Sequence, residues 1–467
     1  MSSNRRAPAA QHGPAAQTQC PSVPLQRPNL IFILADDLGF ADLGCYGGRE
    51  AHFGLVSPVL DAMAARGIRF TQGYANSSVC SPTRFALITG RWQYRLRGAA
   101  EEPIASAART SGTLGLPPQH PTLPSLLRDA GYRTALVGKW HLGFPPHFGP
   151  LKSGYEEYFG PMAGAVDYFS HKDSRGNDDL WEGETQVHSD EYLTDALSKR
   201  AVQTIERWAA EAPSRGNPPF MMSLHYTAPH WPWETREDRA VSEATKNNLF
   251  HLDGGNIETY RRMIHHMDEG IGQVLEALER TGQLENTLVV FTSDNGGERF
   301  SDNWPLVGGK MDLTEGGIRV PYIAQWPALI RAGSISAQHC ITMDWTATFL
   351  DAAGVAPHPD YPLDGVSLLP VLCDPSATMA RPLYWRMKHR LQRAHRDGSW
   401  KYLRVDDHEY LFDLASDERE RANLAKRHPE RLAALRTAWE HWEASVPPIP
   451  EDATVHLGFG LADMPNR

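Results

Sequence analysis

The run NLIFIL (Asn29–Leu34) carries no polar residue between its first position and its end, which predicts a short strand buried on both faces. It stops at ADDLG. A helical pattern follows over Ser57–Arg66, opened by Ser-Pro and closed by Gly67. IRFTQGY and RTALVG predict further strands, and between them PTLPSLLRDAGY sets Leu123, Leu126, Leu127 and Ala130 at helical spacing. The clearest helix is IETYRRMIHHMDEGIGQVLEALERTG. There Ile257, Tyr260, Ile264, Met267, Ile271, Val274 and Leu278 advance in alternating steps of three and four, and Gly282 ends the run. TLVVFT (Thr287–Thr292) is again apolar throughout its middle and leads into SDNGG.

This alternation of helix and strand predicts an α/β domain built on a large mixed, mostly parallel sheet flanked by helices. After about residue 375 the pattern changes. RPLYWRM, SWKYLRV and HEYLFDL read as short aromatic strands of a smaller antiparallel sheet, followed by a helix at Pro429–Ala444. The expected division is a leader over 1–27, a large domain over 28–375 and a C-terminal α+β subdomain over 376–467.

Composition narrows the function. With 467 residues, 41% of them hydrophobic, the chain can bury a substantial core, and a net charge of −10 without a Lys/Arg-rich run argues against a nucleic-acid surface. The five cysteines, at 20, 45, 80, 340 and 373, form no CxxC pair, so neither a disulfide framework nor a zinc site is expected. No apolar run approaches the roughly 20 residues of a membrane span. The first residues are rich in Ala, Pro and Gln and lack an apolar signal-peptide core. A disordered leader and a cytoplasmic location are the expectation, with the periplasm or secretion the alternative should the start site differ.

Candidate chemistry collects after strands and in glycine-rich loops. In VCSPTRFALITGR, Ser81 can cap a helix and Pro82 suits its first position, which sets Cys80 at the positive end with Arg84 one turn in. A buried, inert thiol is the plainer reading of Cys80 alone. Asp36-Asp37 and Asp294-Asn295 follow two of the buried strands, where ligands bind in open α/β sheets. Either pair alone reads equally as turn or capping residues. Together, three carboxylates and an amide favour a hard divalent cation such as Ca²⁺ or Mg²⁺. GKWHLG adds Lys139 and His141, HYTAPHWPW adds His230, and GGKMDLTEGGIRVP adds Lys310. Each of these alone reads as a solvated loop residue; as a set with a cation they suit a tetrahedral oxyanion, sulfate or phosphate.

With these motifs in hand, the sequence resembles the formylglycine-dependent sulfatases of the alkaline phosphatase superfamily over about residues 28–425. The resemblance rests on Cys80-Ser81-Pro82-Thr83-Arg84 with Thr89-Gly90-Arg91, on PNLIFILADDLG, GKWHLG, APHWP, SDNGG and GGK…EGGIRVP, and on the tail segments SWKYL and EYLFDLASDERERANLA. It implies an alkaline-phosphatase-like fold and hydrolysis of an aryl or carbohydrate sulfate to alcohol and inorganic sulfate. It also implies that a formylglycine-generating enzyme oxidises Cys80 to Cα-formylglycine, whose hydrate is a gem-diol. One hydroxyl then attacks sulfur to give a covalent sulfo-enzyme, and the other expels sulfate. By the same resemblance Asp36, Asp37, Asp294 and Asn295, with the modified Cys80, hold Ca²⁺ or alternatively Mg²⁺. Arg84 stabilises the diol, Lys139 and Lys310 bind sulfate oxygens, His141 takes a proton from the diol and His230 protonates the leaving alcohol.

Thr83 stands where many members carry serine, and FGPMAGAVDYFSH (Phe159–His171) offers no clear counterpart of a sulfate-contacting serine found in some. Asp167-Tyr168 and Trp231 with Trp233 are candidates for the pocket wall. The rival readings are a phosphomonoesterase or phosphonate monoester hydrolase on the same scaffold, and a non-catalytic homologue that binds sulfate esters. A cysteine phosphatase fits less well, because no phosphate-cradling glycine lies between Cys80 and Arg84.

Overall fold

A computed structural model describes residues 26–48, 54–245, 249 and 254–456. All but the last two residues of the expected leader lie outside these. The apolar runs form four adjacent parallel strands: β1 (Asn29–Ala35), β2 (Arg133–Gly138), β3 (Phe220–His225) and β4 (Thr287–Ser293), in the order β4-β1-β3-β2. Every residue of β3 and β4 is buried, as are the last six of β1. Strands covered on both faces have no side that calls for polar residues, which is why these read as continuous rather than alternating apolar runs.

The sheet grows to ten strands. Beyond β2 lie Glu157–Gly160, parallel, and two short antiparallel strands, Trp181–Glu182 and Thr185–Gln186. Beyond β4 lie Tyr322–Gln325, antiparallel to it, then Ile68–Phe70 and Ser334–Ser336. The architecture is the large mixed sheet expected from the sequence. The stretch IRFTQGY is two strands rather than one. Gly73–Tyr74 leaves the main sheet and pairs with Cys340–Ile341, and a side chain at Gly73 would meet the Tyr322 ring at 2.1 Å.

The covering helices include α1 (Pro58–Arg66), α2 (Cys80–Thr89), α3 (Leu193–Glu211) and α4 (Ile257–Arg280). The predicted stripe of α4 is buried from Tyr260 to Leu278, and Asn256 caps the helix by accepting from the amides of Glu258 and Thr259. α3, which the sequence reading left out, packs against α4, and Leu197 and Ile205 are among its buried residues.

A four-stranded antiparallel sheet spans Leu383–Arg386, Arg393–Asp397, Trp400–Val405 and His408–Asp413. α5 (Pro429–Glu443) closes over it, with Trp439 donating from Nε1 to the Trp385 carbonyl at 2.9 Å. The buried ammonium of Lys401 ties this layer to the larger one, 2.9 Å from Glu315 and 2.8 Å from Glu420. Cys45, Cys80 and Cys340 are free thiols and Cys373 is disulfide-bonded, a departure from the expectation of none. Among the described residues no helix is long and apolar enough to cross a membrane.

Candidate active site

The four central strands end level with one another: Leu34 pairs with His225, His225 with Gly138, and Ala35 with Ser293. Backbone hydrogen bonds continue just past the ends, from Lys139 N to His225 O at 2.8 Å and from Asp294 N to Ala35 O at 3.1 Å. Asp36, Asp37, Lys139, Asp294 and Asn295 therefore leave the sheet at one height. Gly138 is required for this approach, since a Cβ there would sit 1.8 Å from the His225 carbonyl, at a φ of 117°.

Three buried ion pairs follow. Lys139 Nζ lies 2.5 Å from Asp36 Oδ2, both side chains fully buried. Arg84 donates from Nε and Nη2 to Asp294 Oδ2 at 3.1 and 2.9 Å, and from Nη1 to the Lys139 carbonyl at 3.2 Å. Lys310 donates from Nζ to Asp37 Oδ2 at 2.7 Å and to His230 Nε2 at 3.2 Å. Asn295 donates to Asp37 Oδ1 at 2.7 Å. Carboxylate and thiol atoms of Asp36, Cys80 and Asp294 lie within 4.8 Å of one another, as do ligand atoms of Asp36, Asp37 and His230. All ten sequence-predicted site residues thus lie in one interconnected cluster. His141 joins through Lys139, two residues away, while its Nε2 meets the Ile104 carbonyl at 2.7 Å.

The cysteine helix starts two residues earlier than predicted. α2 begins at Cys80 with Val79 as its N-cap, which has no side-chain capping bond. Ser81 is not the cap, because its Oγ accepts instead from the Ile104 amide at 3.0 Å. Thr83 closes the preceding turn by accepting from Ser77 N at 2.9 Å and donating to Ser77 O at 3.1 Å. Every residue of α2 is buried.

Electrostatics set the protonation states. Burial pushes the Cys80 thiol up to about 11 against the pull of Lys139 and Lys310, so it is protonated at neutral pH. Burial also pushes Asp37 upward, yet Lys310 and His230 hold it at about 2. Burial, then Lys310, brings His230 down to about 3, and burial with Lys139 puts His141 well below the usual range. Both rings are neutral. The His230 Nδ1 faces the Trp231 carbonyl at 2.7 Å and so carries its proton, leaving Nε2 as an acceptor. His141 has the opposite tautomer, Nε2–H toward Ile104, and its Nδ1 is buried without a partner.

The family model named Sulfatase matches residues 28–355. The chain belongs to the sulfatase family. It is 32% identical to the N-acetylgalactosamine-6-sulfatase of Homo sapiens, over 91% of this chain and 88% of that protein, and 29% identical to the steryl-sulfatase of Mus musculus, over 95% and 86%. Among solved structures, Ps i-CgsB in complex with k-i-k-neocarrahexaose has a TM-score of 0.80 at 30% identity, covering 90% of this chain and 94% of that one. The relatives are sulfuric ester hydrolases, and this sulfatase is an enzyme of that class.

Sequence reasoning missed three contributors. His225 ends β3 beside Arg84 and Lys139, buried, with neither ring nitrogen partnered. Its place at the very end of the buried apolar run FMMSL was the available signal. Glu298 follows SDNGG and sits near Lys310 and Asp37, with burial raising its pKa to about 7. Gly164, within the segment that gave no aligned serine, leaves room for the His141 ring, which a Cβ there would meet at 2.4 Å. Tyr168 donates to the His230 carbonyl at 2.9 Å and is fully buried. Trp233 is buried, while Trp231 is half-buried beside His230.

Proposed function

We propose that this sulfatase hydrolyses a carbohydrate sulfate ester to alcohol and inorganic sulfate, with Cys80 converted to Cα-formylglycine and a Ca²⁺ ion, or Mg²⁺, held beside it. One observation carries the reading: beside Cys80 three carboxylates are ion-paired with three cations before any ligand arrives. The three carboxylates of Asp36, Asp37 and Asp294 are each paired with one of the three cations Lys139, Lys310 and Arg84. A divalent ion would add two positive charges to these pairs. Burial, then Asp36, already pushes Asp294 up to about 7 and so disfavours its charge. A more positive site attracts a monoanionic sulfate ester.

The residues fit such an ion. Asp36 Oδ1 and Asn295 Oδ1 are buried acceptors without a hydrogen-bond partner, a condition that costs about 1–3 kcal/mol each unless a donor or cation meets them. The four proposed side-chain donors besides residue 80 are oxygens, the preference of Ca²⁺ and Mg²⁺. Bound there, the ion would supply Lewis-acid polarisation of a sulfate oxygen.

As its hydrate, formylglycine at residue 80 would supply one hydroxyl to displace the alcohol and a second to release sulfate. Because Cys80 is 1% exposed, a modifying enzyme reaches it only before the chain folds. The other roles follow from lone pairs. Lys139 and Lys310 aim ammonium groups at the sulfate oxygens and Arg84 braces Asp294. His141 accepts a proton at its bare Nδ1. Lys310 Nζ donates to the bare His230 Nε2, which positions the Lys310 ammonium, and that ammonium is the proton source for the leaving oxygen. Lys310 is the most open of these, and the Trp231 ring near it offers a face for a sugar.

The test is the mass of the Cys80 peptide from protein made in its native host, with rates on 4-nitrophenyl sulfate, 4-nitrophenyl phosphate and a panel of sulfated oligosaccharides. An aldehyde mass, with faster turnover of sulfate than of phosphate and fastest turnover of a sugar sulfate, is expected. An intact thiol in active protein, or preference for the phosphate, refutes the reading.

A further inference from the structure

Ile104 serves two parts of the active site through its own backbone. Its amide donates to Ser81 Oγ at 3.0 Å, next to residue 80, and its carbonyl accepts from His141 Nε2 at 2.7 Å. His141 Nδ1 has no partner, so the Ile104 carbonyl is what orients the ring. Yet Ile104 lies in no helix or strand. Buried backbone outside regular structure is held by partners elsewhere, and those partners decide what fixes this residue.

The partners come from the far end of the chain. Two residues before Ile104, Glu102 donates its amide to the Thr454 carbonyl at 3.0 Å and accepts from the His456 amide at 2.8 Å, a parallel bridge centred on Val455. The Glu102 carboxylate accepts from the amides of Lys388 at 2.7 Å and His389 at 2.9 Å. Glu101 accepts from the Thr454 amide at 3.1 Å and from the Thr454 hydroxyl. Lys388 reaches the same segment, donating from Nζ to the carbonyls of Glu451 at 2.7 Å and Ala453 at 2.6 Å. Glu101 and Glu102 are both buried. Only Pro103 separates Glu102 from Ile104, and its ring fixes φ, so a shift of one residue is passed to the other.

We propose that residues 451–456 are a positioning segment for catalysis. Paired with Glu102, they hold Ile104 where its carbonyl sets the His141 ring and its amide holds Ser81 beside residue 80. This rests on the role given to His141 above. A small misplacement of a catalytic group costs rate out of proportion to its size, so the effect falls on kcat.

The test separates backbone from side chain at the bridge. His456→Pro deletes the amide that donates to Glu102 and stays compatible with extended backbone, while His456→Ala keeps the amide and removes the ring. Lys388→Met, which takes the ammonium away from the Glu451 and Ala453 carbonyls, is a second variant. kcat and KM are measured on 4-nitrophenyl sulfate. The buried proton on His141 Nε2, assigned by its loss in His141→Gln, is followed by NMR. His456→Pro lowers kcat at least tenfold with KM within twofold, and its Nε2 proton exchanges at least tenfold faster. Lys388→Met changes both in the same direction, and His456→Ala matches wild type. Should His456→Pro fail to fold, Lys388→Met decides. The proposal is overturned if kcat or the proton is unmoved in His456→Pro, if His456→Ala loses as much as His456→Pro, or if KM rises while kcat is kept. Wild type that turns over no sulfate ester refutes the proposed function instead, and the proton then decides this proposal on its own.

Discussion

Replacing Lys139 by methionine tests the charge balance directly. Met keeps much of the length and apolar bulk of the lysine stem but removes the ammonium 2.5 Å from Asp36 Oδ2. Asp36 is then left with Arg84 Nη2 at 3.8 Å from Oδ1, an oxygen that already lacks a hydrogen bond. Breaking a fully buried pair from one side costs about 3–5 kcal/mol, against about 0–1 kcal/mol for an exposed pair. Both groups here are fully buried, so the larger figure applies. The three-to-three balance becomes three carboxylates against two cations, and a divalent ion then relieves an uncompensated charge. The assay is urea unfolding in EGTA and again in saturating Ca²⁺. Lys139→Met loses about 3–5 kcal/mol in EGTA, and Ca²⁺ stabilises it more than it stabilises the wild type. A loss below about 1 kcal/mol in EGTA, or the same Ca²⁺ increment in both proteins, would refute the argument.

Other changes probe separate links. Cys80→Ser keeps a hydroxyl but has no second one to release the product, so a single turnover leaves a sulfated serine detectable by peptide mass; catalytic cycling at the wild-type rate contradicts this. Gly164→Ala puts a methyl into the His141 ring at 2.4 Å, and a drop in kcat of at least tenfold with an unchanged melting temperature is expected. If kcat is kept, the ring does not need that place. Burial, then Asp167, raises Glu234 from 4.5 to about 9, so the proton it holds contributes stability that is complete below about pH 4.5 and is lost as pH rises to about 9. The decline is about 1.4 kcal/mol per pH unit across that window. Melting curves of Glu234→Gln are correspondingly flatter, and parallel curves for the two proteins sink the assignment.

Much of the site was legible because strand ends are legible. Asp36 and Lys139 follow apolar runs directly and Asp294 follows one after Thr292-Ser293, and strands buried on both faces are the easiest to read. What the sequence hid was supplied by backbone or by shape. The carbonyl of Ile104 fixes the tautomer of His141, and its amide takes Ser81 away from its capping role. Neither group leaves a trace in residue identity. Gly164 acts by having no side chain, and a glycine between Ala163 and Ala165 carries no sign of what it makes room for. α3 escaped notice because its buried face includes Thr194, Ser198 and Thr204, which dilute the apolar stripe.

The backbone also explains how such short motifs deliver so many groups. In an extended chain, successive side chains point to opposite faces, so Asp36 and Asp37 ought to diverge. Asp37 instead takes a left-handed conformation, φ 63°, and the turn brings both carboxylates into one cluster, Asp36 onto Lys139 and Asp37 onto Lys310. His141 repeats the device with φ 57° two residues after Lys139, and Met311 does so with φ 74° directly after Lys310. Asp and His are among the few non-glycine residues found there with any frequency. Holding a residue there costs of order 1–3 kcal/mol, which glycine would avoid, but glycine would bring neither the carboxylate nor the imidazole. The ion pairs and the Ile104 hydrogen bond offset that strain, so the same contacts that balance the charges also hold the bends that create them.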